Sequence, residues 1–288
     1  MSYPIATFHK YDYSYEELQN IPFNITDFAN YVHDGEKIIF CKTDFLHEAF
    51  QFIRTLNNEV ILITGNSDYP IDEAKISNMP DQVKIWFAEN ANVKHPKLKG
   101  LPIGIENYNW FKDNRHGQGW MHAMIKKDAI QKYWQSSRQV KKEHLIYSNM
   151  SVWHDQPSRI NAKAICDKLD YCYVKEHSGP GPRSIINYMN ELSKSKSIVC
   201  PRGNGIDTYR IWEAFCLKAI PIVLRDELAI QQFEDEYPIL FVENWLELKD
   251  KETIEKRIEE KRSQIDFSKL TVAYWIDKIE EDKKWLDK

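Results

Sequence analysis

The sequence predicts an α/β fold built on mostly parallel sheets, and three observations carry that prediction. Short apolar runs alternate with segments of helical periodicity over most of the 288 residues, the pattern of repeated βα units. Each of the first four apolar runs ends in a polar segment, as where an open parallel sheet delivers its loops to one edge. Residues 195–225 read as strand, glycine loop, helix and strand, half of a nucleotide-binding α/β domain.

In the first part of the chain, strands are expected at 37–42, 60–64, 83–87 and 101–105. A helix is expected over 45–56, where Leu46, Ala49, Phe50, Ile53 and Leu56 recur at helical spacing. The polar segments after the strands are Thr43-Asp44, Gly65-Asn66-Ser67-Asp68, Glu89-Asn90 and Glu106-Asn107, and they should crowd one edge. A charged helical stretch over 126–142 reads as the passage to a second half, which gives one lobe at 1–138 and another at 139–265. The second lobe opens with a strand at 144–147. The polar loop after it, Ser148-Asn149-Met150-Ser151, either hydrogen-bonds a phosphate or sugar or simply turns at the surface. Arg159 leads into a helix ending at Leu169, a strand follows at 171–175, and the Gly- and Pro-rich residues 178–183 form a loop that ends in Arg183. Beyond Trp245, Ile254, Ile258 and Ile265 keep an apolar stripe, so the charges of 249–262 read as a solvated helix face. A last helix within 266–288, carrying Leu270, Ala273, Tyr274, Ile276 and Trp285, is expected to pack back on the first lobe.

The chemistry concentrates in 195–225. Ile198 and Val199 lead into Pro201-Arg202-Gly203-Asn204-Gly205, then comes a helix bearing Arg210 and Glu213, then the strand from Ile220 to Leu224. Gly203 and Gly205 permit positive φ and close backbone approach, so amides can face an anion. Asp207 or Thr208 can cap the helix. Arg210 and Glu213 are i, i+3 neighbours near its start. A fixed cation there suits a diphosphate, and a carboxylate one turn on can accept both hydroxyls of a ribose. The alternative is that the two pair with each other on a solvated face.

Tyr188, Leu192, Ser195-Lys196, Cys200-Pro201, Gly203, Thr208-x-Arg210, Glu213-Ala214 and Ile220-Pro221-Ile222-Val223 fall in the order and spacing of the C-terminal half of exostosin-like glycosyltransferases, which this chain resembles over about 188–245. Lys218-Ala219 departs from the family's Gly-Cys, a position that concerns helix-to-strand packing. The resemblance implies a glycosyltransferase B fold, two Rossmann-like lobes facing a cleft, with a UDP-sugar in the second lobe and the acceptor approaching from the first. It implies that Arg210 contacts the diphosphate and Glu213 the ribose. The closer likeness is to compact, anchor-free members of the kind found in bacteria and large viruses.

Composition narrows the alternatives. With 42% hydrophobic residues the chain buries cores, and a net charge of −4 argues against a surface built to neutralise nucleic-acid phosphates. The five cysteines Cys41, Cys166, Cys172, Cys200 and Cys216 form no CxxC pair and read as reduced thiols of a cytoplasmic protein. The first residues have neither the basic nor the apolar region of a signal peptide, and no segment reaches 18 uninterrupted apolar residues. HExxH, GxSxG and Walker motifs are absent.

The chain also lacks an Asp-x-Asp, with which metal-dependent transferases hold a divalent cation. The leaving diphosphate is therefore expected to be stabilised without metal or other cofactor, by Arg210, Arg202 or Arg183 and the amides of the Gly203 to Asp207 loop. Asp68, then Asp44 and Glu106, are the candidates for a general base, with His33 and His116 behind them. Asp44 can instead cap a helix, Asp68 satisfy its own turn, and Glu106 pair with a lysine. Tyr108, Trp110 and His116 lie in an aromatic and polar stretch suited to a glycan acceptor, or to a packed loop. The expected function is inverting transfer of a sugar to a glycan hydroxyl. A non-catalytic nucleotide-sugar or glycan-binding module and a nucleotide-sugar isomerase are the alternatives.

Overall fold

A computed structural model describes residues 19, 23, 32, 37–106, 125–126, 128–133, 140–152, 157–176 and 182–286 of the protein. Two wholly parallel sheets organise it, the α/β arrangement expected. The first runs β1 (Ile38–Lys42), β2 (Val60–Gly65), β3 (Val83–Ala88) and β4 (Leu98–Gly100), in that spatial order. The β2 run Val-Ile-Leu-Ile is buried on both faces, as a central parallel strand requires. Val60 and Leu62 meet Leu46, Phe50 and Ile53, the i, i+4, i+7 stripe of α1 (Leu46–Ile53). Ile61 and Ile63 face the opposite way. A short α2 (Glu73–Ser77), capped by Asp72, links β2 to β3.

The fourth strand lies earlier than the 101–105 expected. Leu101 still donates its amide to Ala88 O at 2.8 Å, but Pro102 has no amide and Gly104 takes φ +69°, so the ladder stops. Residues 101–106 instead turn toward the second sheet. Helix is present at 125–126 and 128–133, while 140–143 are irregular rather than helical.

The second sheet orders its strands β6-β5-β7-β8-β9, from β5 (His144–Ser148), β6 (Cys172–Val174), β7 (Ser195–Val199), β8 (Ile220–Leu224) and β9 (Leu240–Val242). Because β6 lies on one side of β5 and β7 on the other, the crossovers after β5 and after β6 run to opposite sides of β5, and the strand order switches between β5 and β7. A crevice opens at such a switch point beyond the carboxyl ends of the strands. The helices are α3 (Pro157–Cys166), α4 (Pro182–Ser193), α5 (Tyr209–Cys216), α6 (Leu228–Gln231), α7 (Lys251–Arg262) and α8 (Val272–Leu286). Ile254 and Ile258 of α7 are buried, whereas Ile265 lies past its end. The short α6 and β9 have no strong periodic signal in sequence.

One face of the second sheet, through Ile146, Val199, Ile222 and Val242, packs on α3 and α7. The other face joins Ile61, Ile63 and Phe87 of the first sheet in a shared core, filled by Trp212 and Phe215 of α5, Phe233, Tyr237, and Trp275 and Ile276 of α8. Trp212 meets Phe233 and Tyr237 edge-on, at centroid separations of 5.3 and 5.1 Å. Lys99 of β4 pairs with Asp282 of α8 at 2.6 Å. No helix among the described residues is long and apolar enough to cross a membrane.

Candidate functional site

The loop after β7 and the first turn of α5 face the polar ends of β2 and β3. Asn66 and Asn90 follow those strands at φ 55° and 52°, in the left-handed region that asparagine tolerates better than most residues. The Asn90 side chain spans the two lobes. Its Oδ1 accepts from the amides of Ile206 at 3.1 Å and Asp207 at 2.8 Å, and its Nδ2 donates to Ser67 O at 3.0 Å. Asp207 answers from the other side: Oδ2 accepts from Ile103 N at 2.7 Å, and the carboxylate accepts from Trp212 Nε1 at 2.9 and 3.0 Å. Asp207 is thus a seam residue rather than a free ligand of the loop.

Gly203 and Gly205 do not use the positive φ open to them; among the described glycines only Gly104 does. The loop needs them for space. A Cβ on Gly205 would stand 3.3 Å from Asp68 Oδ1 and 3.4 Å from Asn90 Nδ2, and one on Gly203 would stand 3.0 Å from Arg159 Nη2. Gly203 N donates to Gly205 O at 3.1 Å, and Asn204 is exposed at the tip. Thr208 occupies the N-cap position of α5, with φ −133° and ψ 141°, but its side chain makes no cap. Thr208 Oγ1 and Arg210 Nε are both buried without a hydrogen-bond partner. Uncapped amides, a hydroxyl and a guanidinium nitrogen, all free to donate on one helical turn, can together bind an anion.

Arg210 and Glu213 do not lie on a solvated face, and no ion pair joins them. Glu213 is 2% exposed; Oε2 accepts from Tyr188 OH at 3.0 Å, and Oε1 lies 3.0 Å from Lys126 Nζ in an ionic contact. Lys126 is also 2.9 Å from Glu106 Oε2, so Glu213, expected as the ribose ligand, and Glu106, a base candidate, share a lysine from the connecting segment. Burial opposes the lysine's charge, yet Glu213 and Glu106 outweigh it and hold its pKa above the ordinary range. Arg210 lies over the Tyr188 ring, 6.0 Å from its centroid.

Arg159 of α3 carries no signal in sequence beyond its charge, yet it joins this site. Its Nε donates to Arg202 O at 2.8 Å and its Nη1 to Ser151 O at 3.1 Å. Arg202 itself pairs with Glu227 at 2.6 Å, which takes up its charge. Ser148 lies on the Ile146 face of β5 beside Cys166, and Asn149 partners the Tyr147 hydroxyl. Arg183 is exposed at the start of α4.

Of the carboxylates, Asp68 is exposed at the seam beside the Gly205 backbone, whereas Asp44 pairs with Lys42 at 3.2 Å on the open edge. Sequence reasoning passed over Glu89. It is 1% exposed; Oε2 accepts from Asn66 N at 2.6 Å, Oε1 has no hydrogen-bond partner, and a Cβ on Gly65 would stand 2.7 Å from its Cδ. Burial, then the charges of Asp207 and Asp68, push the Glu89 carboxyl well above its usual range. Burial raises Asp207 to about 7. His33, Tyr108, Trp110 and His116 lie outside the described residues. A cavity of about 340 Å³ between β4 and α8, lined by Lys99, Gln232, Trp275 and Lys278, is separate from this cluster.

These raised carboxyls set a pH signature. A carboxyl whose folded pKa exceeds its unfolded value binds a proton more tightly in the folded state, so its stabilisation is complete below the unfolded pKa and is lost as pH rises through the folded one. For Asp207 that window runs from 3.8 to about 7. Chemical denaturation across it should show Glu89→Gln losing less stability with rising pH than the wild type; parallel curves would deny Glu89 its share.

A model of the RXYLT1 C-terminal domain matches residues 167–284, which include β7, the glycine loop and α5. The match supports a glycosyltransferase-related family for this part of the chain. No curated protein matches significantly. Among solved structures, that of Methanocaldococcus jannaschii UDP-GlcNAc 2-epimerase in complex with UDP-GlcNAc and UDP is similar over 84% of this chain and 74% of that chain, at 11% identity and a TM-score of 0.36. The GtfA/B complex is similar over 88% of this chain, at 11% identity and a TM-score of 0.40. This chain covers 59% of that one, less than two thirds of its length.

Proposed function

We propose that the protein transfers a sugar, with inversion and without metal, from a UDP-sugar to a hydroxyl of a glycan acceptor. The observation that carries the reading is the first turn of α5, where Thr208 Oγ1 and Arg210 Nε are buried and unpartnered inside the exostosin-like segment. In the proposed reaction the acceptor oxygen gives its proton to Asp68 and attacks the anomeric carbon. The bond from that carbon to the diphosphate oxygen breaks, and the electron pair stays with the diphosphate. Negative charge grows on the leaving oxygen, where fixed donors in a water-poor site stabilise the transition state more than the ground state. Arg210, the Thr208 hydroxyl and the α5 amides supply those donors, so the scheme needs no divalent ion. Glu213 would accept the ribose hydroxyls once Lys126 yields its place.

The test is UDP release from a panel of UDP-sugars, with and without glycan acceptors and with EDTA. Acceptor-dependent release that EDTA leaves unchanged is the expected result. Strict dependence on manganese would overturn the metal-free scheme. UDP binding with no release from any donor would indicate a binding module, and conversion of a donor without acceptor would indicate an isomerase.

A further inference from the structure

We propose that Arg159, which lies outside the exostosin-like motif, is the second guanidinium of a diphosphate cradle that it forms with Arg210 and Thr208 at the switch point between β5 and β7. The inference deepens the nucleotide-sugar reading and rests on it for the nucleoside, but the cradle stands on its own geometry.

Arg159 spans the crevice mouth. Ser151, whose carbonyl accepts from Nη1, belongs to the loop after β5; Arg202, whose carbonyl accepts from Nε, belongs to the loop after β7. Two corners of the planar fork are thereby fixed and the third is aimed. The point where a Gly203 Cβ would sit lies 3.0 Å from Arg159 Nη2 and 3.7 Å from Thr208 Cγ2, so Nη2 and the first turn of α5 border the same space. Glycine keeps that space open.

Charge points the same way. Among the described residues no carboxylate pairs with Arg159 or Arg210, whereas Arg202 is neutralised by Glu227 and Lys126 by Glu106 and Glu213. Burial, and then the charge of Arg210, lower the Arg159 guanidinium to about 10. Arg159 is half-buried with no carboxylate partner among the described residues, so its surroundings and the nearby Arg210 charge both disfavour its own charge, whereas Tyr188, Cys200 and Glu213 hold Arg210 charged. An anion of two or more charges, with oxygens spaced to meet both forks, removes the penalty at once. A diphosphate meets that description better than a singly charged phosphodiester.

The experiment is calorimetric titration of the full chain with inorganic pyrophosphate and, separately, UDP, for the wild type, Arg159→Gln and Gly203→Ala, with melting temperatures alongside. Arg159→Gln is expected to weaken pyrophosphate and UDP by about 10- to 100-fold, as loss of a charge-assisted contact does. Gly203→Ala, which crowds Nη2 without removing charge, should weaken both ligands in the same direction. A purely structural clamp between two loops would lower the melting temperature and leave pyrophosphate affinity unmoved, and that result overturns the proposal. UDP binding that is indifferent to Arg159 would refute the cradle and leave the nucleotide-sugar reading intact. Pyrophosphate binding that depends on Arg159, with UDP no tighter than pyrophosphate, would keep the cradle and remove the nucleoside. If the wild type binds neither ligand, both fall.

Discussion

Arg210→Ala is expected to lower kcat/KM for sugar transfer by about 10²–10³-fold, the usual effect of deleting one preorganised donor to a developing oxyanion. Its effect on stability should be modest and unfavourable. Burial opposes the Arg210 charge, yet Tyr188, Cys200 and Glu213 outweigh it and hold the guanidinium above its ordinary range, so truncation removes favourable contacts, offset only in part by relief of the repulsion with Arg159. Steady-state UDP release and thermal melting of the same preparation separate the two quantities. Wild-type turnover in the variant would remove Arg210 from the site. A collapse in melting temperature would mean that the residue holds structure instead.

Asp207→Ala should do the reverse and act first on stability. Its carboxylate receives the Ile103 amide and the Trp212 indole N–H, both in the seam between the sheets. Truncation leaves two buried donors without an acceptor, each costing about 1–3 kcal/mol, so a loss of roughly 2–6 kcal/mol is expected. Urea denaturation measures it directly. A loss under 1 kcal/mol would show that water enters the seam and satisfies both groups.

Local chemistry was legible in the sequence wherever the causes were local. The continuous apolar runs of β2 and β8, the i, i+4, i+7 stripe of α1 and the Thr-x-Arg…Glu turn of α5 each carry their own pattern, and each appears where that pattern puts it. The expected fourth strand failed for a local reason that was also legible, since Pro102 and Gly104 interrupt it. What could not be read were the partners. Asp207 next to Thr208 resembles a helix cap, and only the arrival of Ile103, 104 residues earlier in the chain, makes it a bridge between lobes. Lys126 sits in a charged stretch that reads as a linker, and nothing nearby announces Glu106 and Glu213 on either side of it. Arg159 looks like any helix-surface arginine until the loops after β5 and β7 converge on it. Glu89 was noticed only as the polar end of a strand; its burial depends on how closely Gly65 lets the chain pass.

The segment that resembles a known domain begins at residue 167, yet two of its buried acids are completed by Ile103 and Lys126, which precede it. Grafting that segment onto a foreign amino-terminal half would therefore transplant Asp207 and Glu213 without the groups that quiet them. The halves of this protein are matched parts, and a chimera would have to carry over one backbone amide and one lysine before its second lobe could pack as it does here.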